Sequence, residues 1–452
     1  MASPDEADPV ERLWRRVQAL GGAAAVWESG RETSYSELTG RAENAGRELA
    51  GAGFAAGSVV AIEVEFGALA IGRLLAVLRA RGIAALLPRA TVAGDVRVQE
   101  ACAAWTWPLT GGLQRREDAP AHRLLDHLRA KDHAGLIFFS GGTTGRSKAV
   151  LHDADAILGP IIARGAGQNY RLISVMPMAH IGGFDTLVRL FTAGATLVVP
   201  RRVDPAAIAE AAEEGRADVL VTTPTFLNLI RLAVPDFSKL GARFRVVAYG
   251  AEPMSSVMLA RMRESWPQTE FRPRFGTSET GAVVVHRRSA DTTDFAIDPA
   301  SADYRIEGGE LWLRNSSRML GYLNAVDAGM REDGWFATGD MVEQLPDGFL
   351  RVKGRRTALI NVGGSKVHPE EVERALWDLE GVVALRARGE KHAMMGEVVA
   401  LDVVAAAGEN PAALRIRIRA AAKERLLSFQ QPVKIFFVNR LEHTISGKLA
   451  RT

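Results

Sequence analysis

Cysteine is almost missing from this chain. Cys102 is the single one in 452 residues, which excludes an internal disulfide framework and any metal centre built from cysteines. Excess charge is missing too: 56 Lys and Arg face 53 Asp and Glu, for a formal net charge of +3. The sequence pI of about 9.1 is therefore a small surplus on a balanced surface, not a nucleic-acid-binding patch. Long apolar runs are absent as well. The best stretch, residues 67–87, is broken by Arg73, Arg79 and Arg81, whereas a bilayer span needs ~20 mostly apolar residues. The opening Met-Ala-Ser-Pro-Asp-Glu is acidic, without the basic-then-apolar run of a signal peptide. These absences predict a cytoplasmic protein with neither a nucleic-acid nor a membrane partner. Lysine, finally, is scarce. Only nine of the 56 basic residues are lysines (131, 148, 239, 353, 366, 391, 423, 434 and 448), so a lysine inside a motif is less often incidental than an arginine.

What is present is the composition of a globular chain, 47% hydrophobic and 24% charged, long enough at ~150 residues per domain for two or three cores. Apolar, β-rich runs (59–66, 136–140, 172–176, 196–199, 219–222 and 245–249) alternate with amphipathic stretches such as 35–52, 204–214 and 255–265. Strands apolar on both faces alternating with helices predict an α/β domain with mostly parallel sheets. Near residue 300 the texture changes to short strands, 310–314 and 348–353, joined by Gly- and Asp-rich turns, as in a small β-barrel-like part or antiparallel sheet. After Gly354, Pro369 opens a helix with Glu370, Glu371 and Glu373 at its positive end. Strands at 382–388 and 397–404, a basic helix at 412–426 and a strand at 433–438 follow. We expect a large N-terminal α/β domain, 1–353, and a small α+β C-terminal domain, 354–452.

The strongest local signal is Phe138-Phe139-Ser140-Gly141-Gly142-Thr143-Thr144-Gly145-Arg146-Ser147-Lys148. An apolar strand runs into five residues made only of Gly and Thr, then a base. Glycines let backbone N–H groups approach an anion, hydroxyls add donors, and Lys148 supplies a compact charge. The order differs from a Walker A loop, because Lys148 lies three residues past Gly145. The alternative is an ordinary flexible turn.

This stretch resembles the phosphate loop of adenylate-forming enzymes, the acyl- and aryl-CoA ligases, nonribosomal adenylation domains and luciferases. Gly141 and Ser147 stand where that family usually has Ser and Pro, and the Ser-Gly-Gly form is closest to aryl-acid-activating members. Five further motifs are similar to the family's, in its order. Met176-Pro177-Met178-Ala179-His180-Ile181-Gly182-Gly183-Phe184 is similar to the acid-pocket segment, which implies that His180, Gly182, Gly183 and Phe184 line it, with Tyr249 and Gly276. Tyr249-Gly250-Ala251-Glu252-Pro253 is similar to the turn lying against adenine. Phe275-Gly276-Thr277-Ser278-Glu279 implies an aromatic over adenine, a Ser278 hydroxyl on phosphate and Glu279 as an oxygen ligand for Mg²⁺. Trp335-Phe336-Ala337-Thr338-Gly339-Asp340 implies that Asp340 accepts from ribose hydroxyls. In the terminal Ser446-Gly447-Lys448, the implied role of Lys448 is to bridge acid carboxylate and phosphate, a task suited to a point charge on a flexible stem.

The segment from Gly354 aligns with the family hinge. Arg355 stands at a ribose- and phosphate-contacting position, Thr357 replaces the usual Asp or Lys pivot, and Gly363 and Gly364 fall where relatives line the pantetheine tunnel. The resemblance implies an ATP- and Mg²⁺-dependent ligase that adenylates a small aromatic carboxylic acid and passes it to a thiol, with CoA as co-substrate. A carrier-protein thiol or an amine are alternative acceptors, and activation of nitrite for reaction with an arylamine is an alternative chemistry. A non-enzymatic nucleotide-binding relative is a third reading. Ile181 after the pocket histidine argues against a 2-hydroxyl requirement, and the compressed 87–140 stretch leaves little wall for a long fatty-acid tunnel.

Overall fold

The computed structural model describes residues 8–89, 95–140, 147–165, 167, 169–326 and 329–441. Two seven-stranded sheets form the bulk of the chain. The first runs Glu270–Pro273, Val246–Tyr249, Val219–Thr222, Arg171–Ser174, Thr196–Val199, Ala24–Glu28, Arg31–Ser34, parallel up to its last, antiparallel pair. The second runs Gly321–Tyr322, Lys148–Asp153, Gly135–Ser140, Ile83–Pro88, Val59–Val64, Trp105–Trp107, Gln114–Arg115. Its central strands are parallel and its outer ones antiparallel.

The apolar runs dictate this arrangement. Val59–Val64 is buried at every position, so helices must cover both faces. The helices Tyr35–Gly51, Ala68–Arg79, Ala154–Ala163 and Ile181–Ala193 share one core with strands of both sheets. Three of these starts are set by side-chain caps, Ser34 with Glu37 in a capping box, Asp153 and His180. In the compressed 87–140 stretch the described residues form a short helix at Val96–Glu100, three- and two-residue strands at Trp105–Trp107 and Gln114–Arg115, a helix at Arg123–Lys131 and the strand Gly135–Ser140.

The change of texture near residue 300 is an open six-stranded antiparallel sheet, ordered Val285–Arg287, Phe295–Ile297, Leu350–Arg355, Phe336–Gln344, Glu310–Arg314, Asp303–Glu307. The last unit pairs Val382–His392 with Gly396–Ala405 over ten residue pairs and sets Lys434–Phe437 parallel beside them. The helices Pro369–Leu376 and Pro411–Arg425 complete its core. A hairpin, Ile360–Val362 with Ser365–Val367, turns at Gly363 and Gly364, both at positive φ. Among the described residues no helix is long and apolar enough to cross a membrane.

Candidate active site

Three elements meet at the base of the glycine-threonine loop. Ser140 and Lys148 are register partners on the two strands that the loop joins. Gly141, Gly142, Thr143, Thr144 and Gly145 lie outside the described residues, as does Lys448. Asn324 clamps the loop's exit: its Nδ2 donates to Ser147 O (2.9 Å) and its Oδ1 accepts from Ala149 N (2.8 Å). Beside it, Gly321–Tyr322 pairs with the Lys148 strand, which brings Tyr322 to the site. Its hydroxyl donates to Glu279 Oε1 at 3.0 Å, and Lys148 Nζ stands 4.8 Å from the centre of its ring. Glu279 and Lys148, 131 positions apart in sequence, thus share one aromatic neighbour.

The 277–280 turn is shaped from within. Thr277 Oγ1 accepts from the backbone N–H of Glu279 (3.2 Å) and Thr280 (3.1 Å), so this hydroxyl orders the turn. His152, wholly buried on the Lys148 strand, holds the turn from below through Nε2 to Ser278 O at 2.7 Å. Burial keeps the imidazole below its ordinary pKa, so it is neutral and donates from Nε2. Ser278 is buried and half-buried Glu279 projects beyond it. Glu279 is a hard carboxylate beside Lys148, a donor that suits Mg²⁺ and would hold it together with substrate phosphates. The three-residue cluster His133, Asp153 and Asp155 is at the other end of the Lys148 strand, where Asp153 caps the Ala154–Ala163 helix and meets His133 Nδ1 at 2.9 Å.

The antiparallel sheet brings Asp340 and Arg355 together. They are register partners, with Nε–Oδ1 at 3.0 Å, and Arg355 Nη1 donates to Thr338 O at 2.6 Å. Thr338 in turn donates to Leu311 O (2.8 Å) and accepts from Asp340 N (3.1 Å), fixing the main chain at Asp340. Arg356 Nε stands 3.3 Å from Glu310, and Thr357 is exposed on the short turn Arg356–Ala358.

The acid side is built on the Ile181–Ala193 helix. His180 caps it, Nδ1 accepting from Gly182 N at 3.2 Å. Gly183 is required there, because a Cβ would run into the Pro177 carbonyl. Gly250 has a similar constraint, a Cβ falling 2.7 Å from Arg274 O. Phe184 is 1% exposed and packs on Phe138, centroids 5.7 Å apart. Along Val246–Tyr249, Val246 and Ala248 pack with the His180 helix's core, whereas Val247 and Tyr249 pack on the other side, as period-two alternation requires. Burial pushes the Tyr249 phenol up to about 12. Glu252 also turns away, Oε1 accepting from Thr225 N at 2.6 Å, while Ala251 adopts φ +70° in the tight turn. Phe275 stacks at a tilt on Phe295, 5.2 Å away, and Gly276 pairs across its hairpin with Ala282.

The sequence reading missed Tyr322, His152 and a charged group beside the acid side. Arg274, immediately before Phe275, donates through Nη2 to Asp185 and through Nη1 to Thr186 Oγ1 (2.7 Å). Arg189 Nε donates to the same Asp185 oxygen at 2.9 Å. Burial pushes the Asp185 carboxyl up, but the guanidiniums of Arg189 and Arg274 outweigh it and hold it below the ordinary range. A charged residue on an otherwise apolar helix face was the available signal.

Glu279 beside Lys148, and Asp340 on a central strand of a separate antiparallel sheet, stand in an α/β scaffold with a small appended domain. The chain belongs to the AMP-binding enzyme family, matching it over residues 89–323 and the family's C-terminal domain over 371–448. It is 25% identical over 362 residues to the 2-succinylbenzoate–CoA ligase of Enterococcus faecalis, covering 75% of this chain and 72% of that protein. It is 26% identical over 343 residues to the indoleacetate–CoA ligase of Aromatoleum aromaticum, 70% of this chain and 66% of that protein. The fold matches a crystal structure of an anthranilate CoA ligase in complex with anthranoyl-AMP, with TM-score 0.85 and 18% identity over 99% of this chain and 97% of that one.

Proposed function

We propose that this protein adenylates a small aromatic carboxylic acid with ATP and then passes the acyl group to the thiol of CoA. The observation that carries the reading is the junction of Glu279, Tyr322 and Lys148 at the base of the glycine-threonine loop. Relatives named as ligases of 2-succinylbenzoate and indoleacetate support the acid class.

A carboxylate is a poor electrophile, and a mixed anhydride with AMP corrects this. A carboxylate oxygen of the acid attacks the α-phosphorus in line, the α–β bridging bond breaks, and pyrophosphate leaves. Lys148 and the loop hold the departing phosphates, and His152 fixes Ser278 and Glu279 against them. Glu279 would hold Mg²⁺, which neutralises phosphate charge. Asp340, its main chain fixed by Thr338, takes the ribose. Lys448 brings a positive charge to the converging anions. Positioning and charge neutralisation are sufficient for such a transfer. Thiol attack on the acyl carbon then forms the thioester and releases AMP. We place the boundary of the mobile C-terminal unit at Gly354 and its pivot at the exposed Arg356–Ala358 turn, with Gly363 and Gly364 at the acceptor channel.

The test is mass-spectrometric product analysis with ATP, Mg²⁺ and an aromatic-acid panel, with and without CoA. Acyl-AMP without CoA and acyl-CoA with it are expected. Acyl transfer to a carrier protein or amine in preference to CoA would correct the acceptor, and AMP released only with nitrite and an arylamine would overturn the acid.

A further inference from the structure

One cluster of side chains has no task in that scheme. His133, Asp153 and Asp155 stand at the foot of the two strands that carry the glycine-threonine loop at their other end. Gly135 pairs with Asp153 at the foot, whereas Ser140 pairs with Lys148 at the loop. The three side chains offer a ring nitrogen and two carboxylate oxygens within 4.8 Å of one another.

The hydrogen bonds decide what each atom can do. His133 Nδ1 lies 2.9 Å from Asp153 Oδ2, and an ionised carboxylate only accepts, so Nδ1 carries the proton. In the neutral ring Nε2 is then an acceptor. It faces Asp155 Oδ2 at 3.5 Å, so two acceptors oppose each other. The Asp155 side chain is only 10% exposed, and its Oδ1 is enclosed with no hydrogen-bond partner among the described residues. The neighbouring bases are engaged: Arg81 is hydrogen-bonded to Asp8, and Lys131 stands 4.0 Å from Asp153. A carboxylate buried in this way is costly unless a cation meets it.

The arrangement is that of a histidine metal ligand. Such a ring donates its other N–H to a carboxylate that fixes its tautomer and direction, which is the part Asp153 plays. Zn²⁺ bonds of about 2.0–2.2 Å place two tetrahedral ligands about 3.4 Å apart, close to the separation of Nε2 and Asp155 Oδ2. Imidazole with carboxylate suits Zn²⁺ better than Mg²⁺, which takes oxygen ligands. His133 is partly exposed, which leaves an approach for the ion and room for water ligands. We propose that His133 Nε2 and the Asp155 carboxylate bind a Zn²⁺ ion, with Asp153 as the positioning residue for the ring. The ion pins the turn before Gly135–Ser140 to the first turn of the Ala154–Ala163 helix, at the end of the strands opposite the glycine-threonine loop.

The test is equilibrium dialysis of the chelator-treated full chain against Zn²⁺, with the retained metal counted by mass spectrometry and thermal unfolding followed alongside. We expect one Zn²⁺ per chain that is lost in His133→Gln and in Asp155→Asn. Asp153→Asn keeps a helix-capping side chain and should weaken Zn²⁺ binding by about 10–100-fold. Bound Zn²⁺ should raise the unfolding temperature by about 1–3 °C, and Mg²⁺ should not. Anomalous diffraction at the zinc edge, from crystals of the unaltered chain grown with Zn²⁺, needs no variant and should place the ion between His133 and Asp155. No retained Zn²⁺, a stoichiometry unchanged by both ligand substitutions, an equal response to Mg²⁺, or zinc peaks only elsewhere would each overturn the proposal and leave a proton as the cation between the two acceptors.

Discussion

Glu279 is asked to do more than any other described side chain. One of its oxygens takes the Tyr322 hydroxyl, which fixes the carboxylate beside Lys148. Glu279→Gln keeps that hydrogen bond and removes the charge, so acid-dependent exchange should fall by on the order of 10²-fold, the cost of losing one preorganised electrostatic partner. Nucleotide binding by calorimetry should persist, and unchanged exchange would clear Glu279 of the role. His152 makes a prediction in pH. Its folded pKa lies below the unfolded value because burial opposes its charge, so the unfolded chain binds the extra proton first. Its stabilising contribution is therefore present above the unfolded pKa of about 6.5 and is lost as pH falls toward the folded one. Urea midpoints measured from pH 7.5 to 5 should decline, and His152→Gln should flatten part of that decline. Parallel slopes for both proteins would contradict the assignment.

At the scale of elements, the close approach of the His180 helix to the Met176–Pro177 segment depends on Gly183. Gly183→Ala should cost about 1–3 kcal/mol, as overpacking does in a filled core, measured by urea denaturation; a neutral result would mean that the helix start can shift. This scale also marks what the sequence could deliver. The strands Thr196–Val199 and Val219–Thr222 were legible because each is written as a local apolar run, whereas the pairing of Asp340 with Arg355 emerges only in the sheet. Ser34, Asp204 and Ser255, expected inside helices or at their edges, are the caps that start them. The burial of Tyr249 and Phe184 was not legible, because a motif gives position along the chain but not which face of a strand or helix is covered. Tyr322, Arg274 and His152 reach the site through pairings between distant strands, and no local spacing records them.

At the scale of the whole molecule, the segment after Gly354 touches the larger unit at several places. Lys353 meets Glu371 at 3.2 Å beside the boundary, Trp377 packs against the cores of both, Arg261 lies over its ring at 5.3 Å and donates to Asp378 O at 2.9 Å, and Asn228 reaches Val383 O at 3.3 Å. Together they make the docking of the two units. Arg261→Ala should loosen it and speed tryptic cleavage at the exposed Arg356, read by gel and mass spectrometry, and an unchanged rate would place the docking elsewhere. The central claim is that nucleotide and acid are joined in this site with the C-terminal lysine present. It is tested most directly by ATP–pyrophosphate exchange in the full chain and in Lys448→Ala, over aromatic acids with nitrite as a separate reaction. The account predicts exchange that depends on the acid, lost in Lys448→Ala while ATP still binds. Equal exchange in the variant, or no exchange with any acid and AMP only from nitrite with an arylamine, would contradict it.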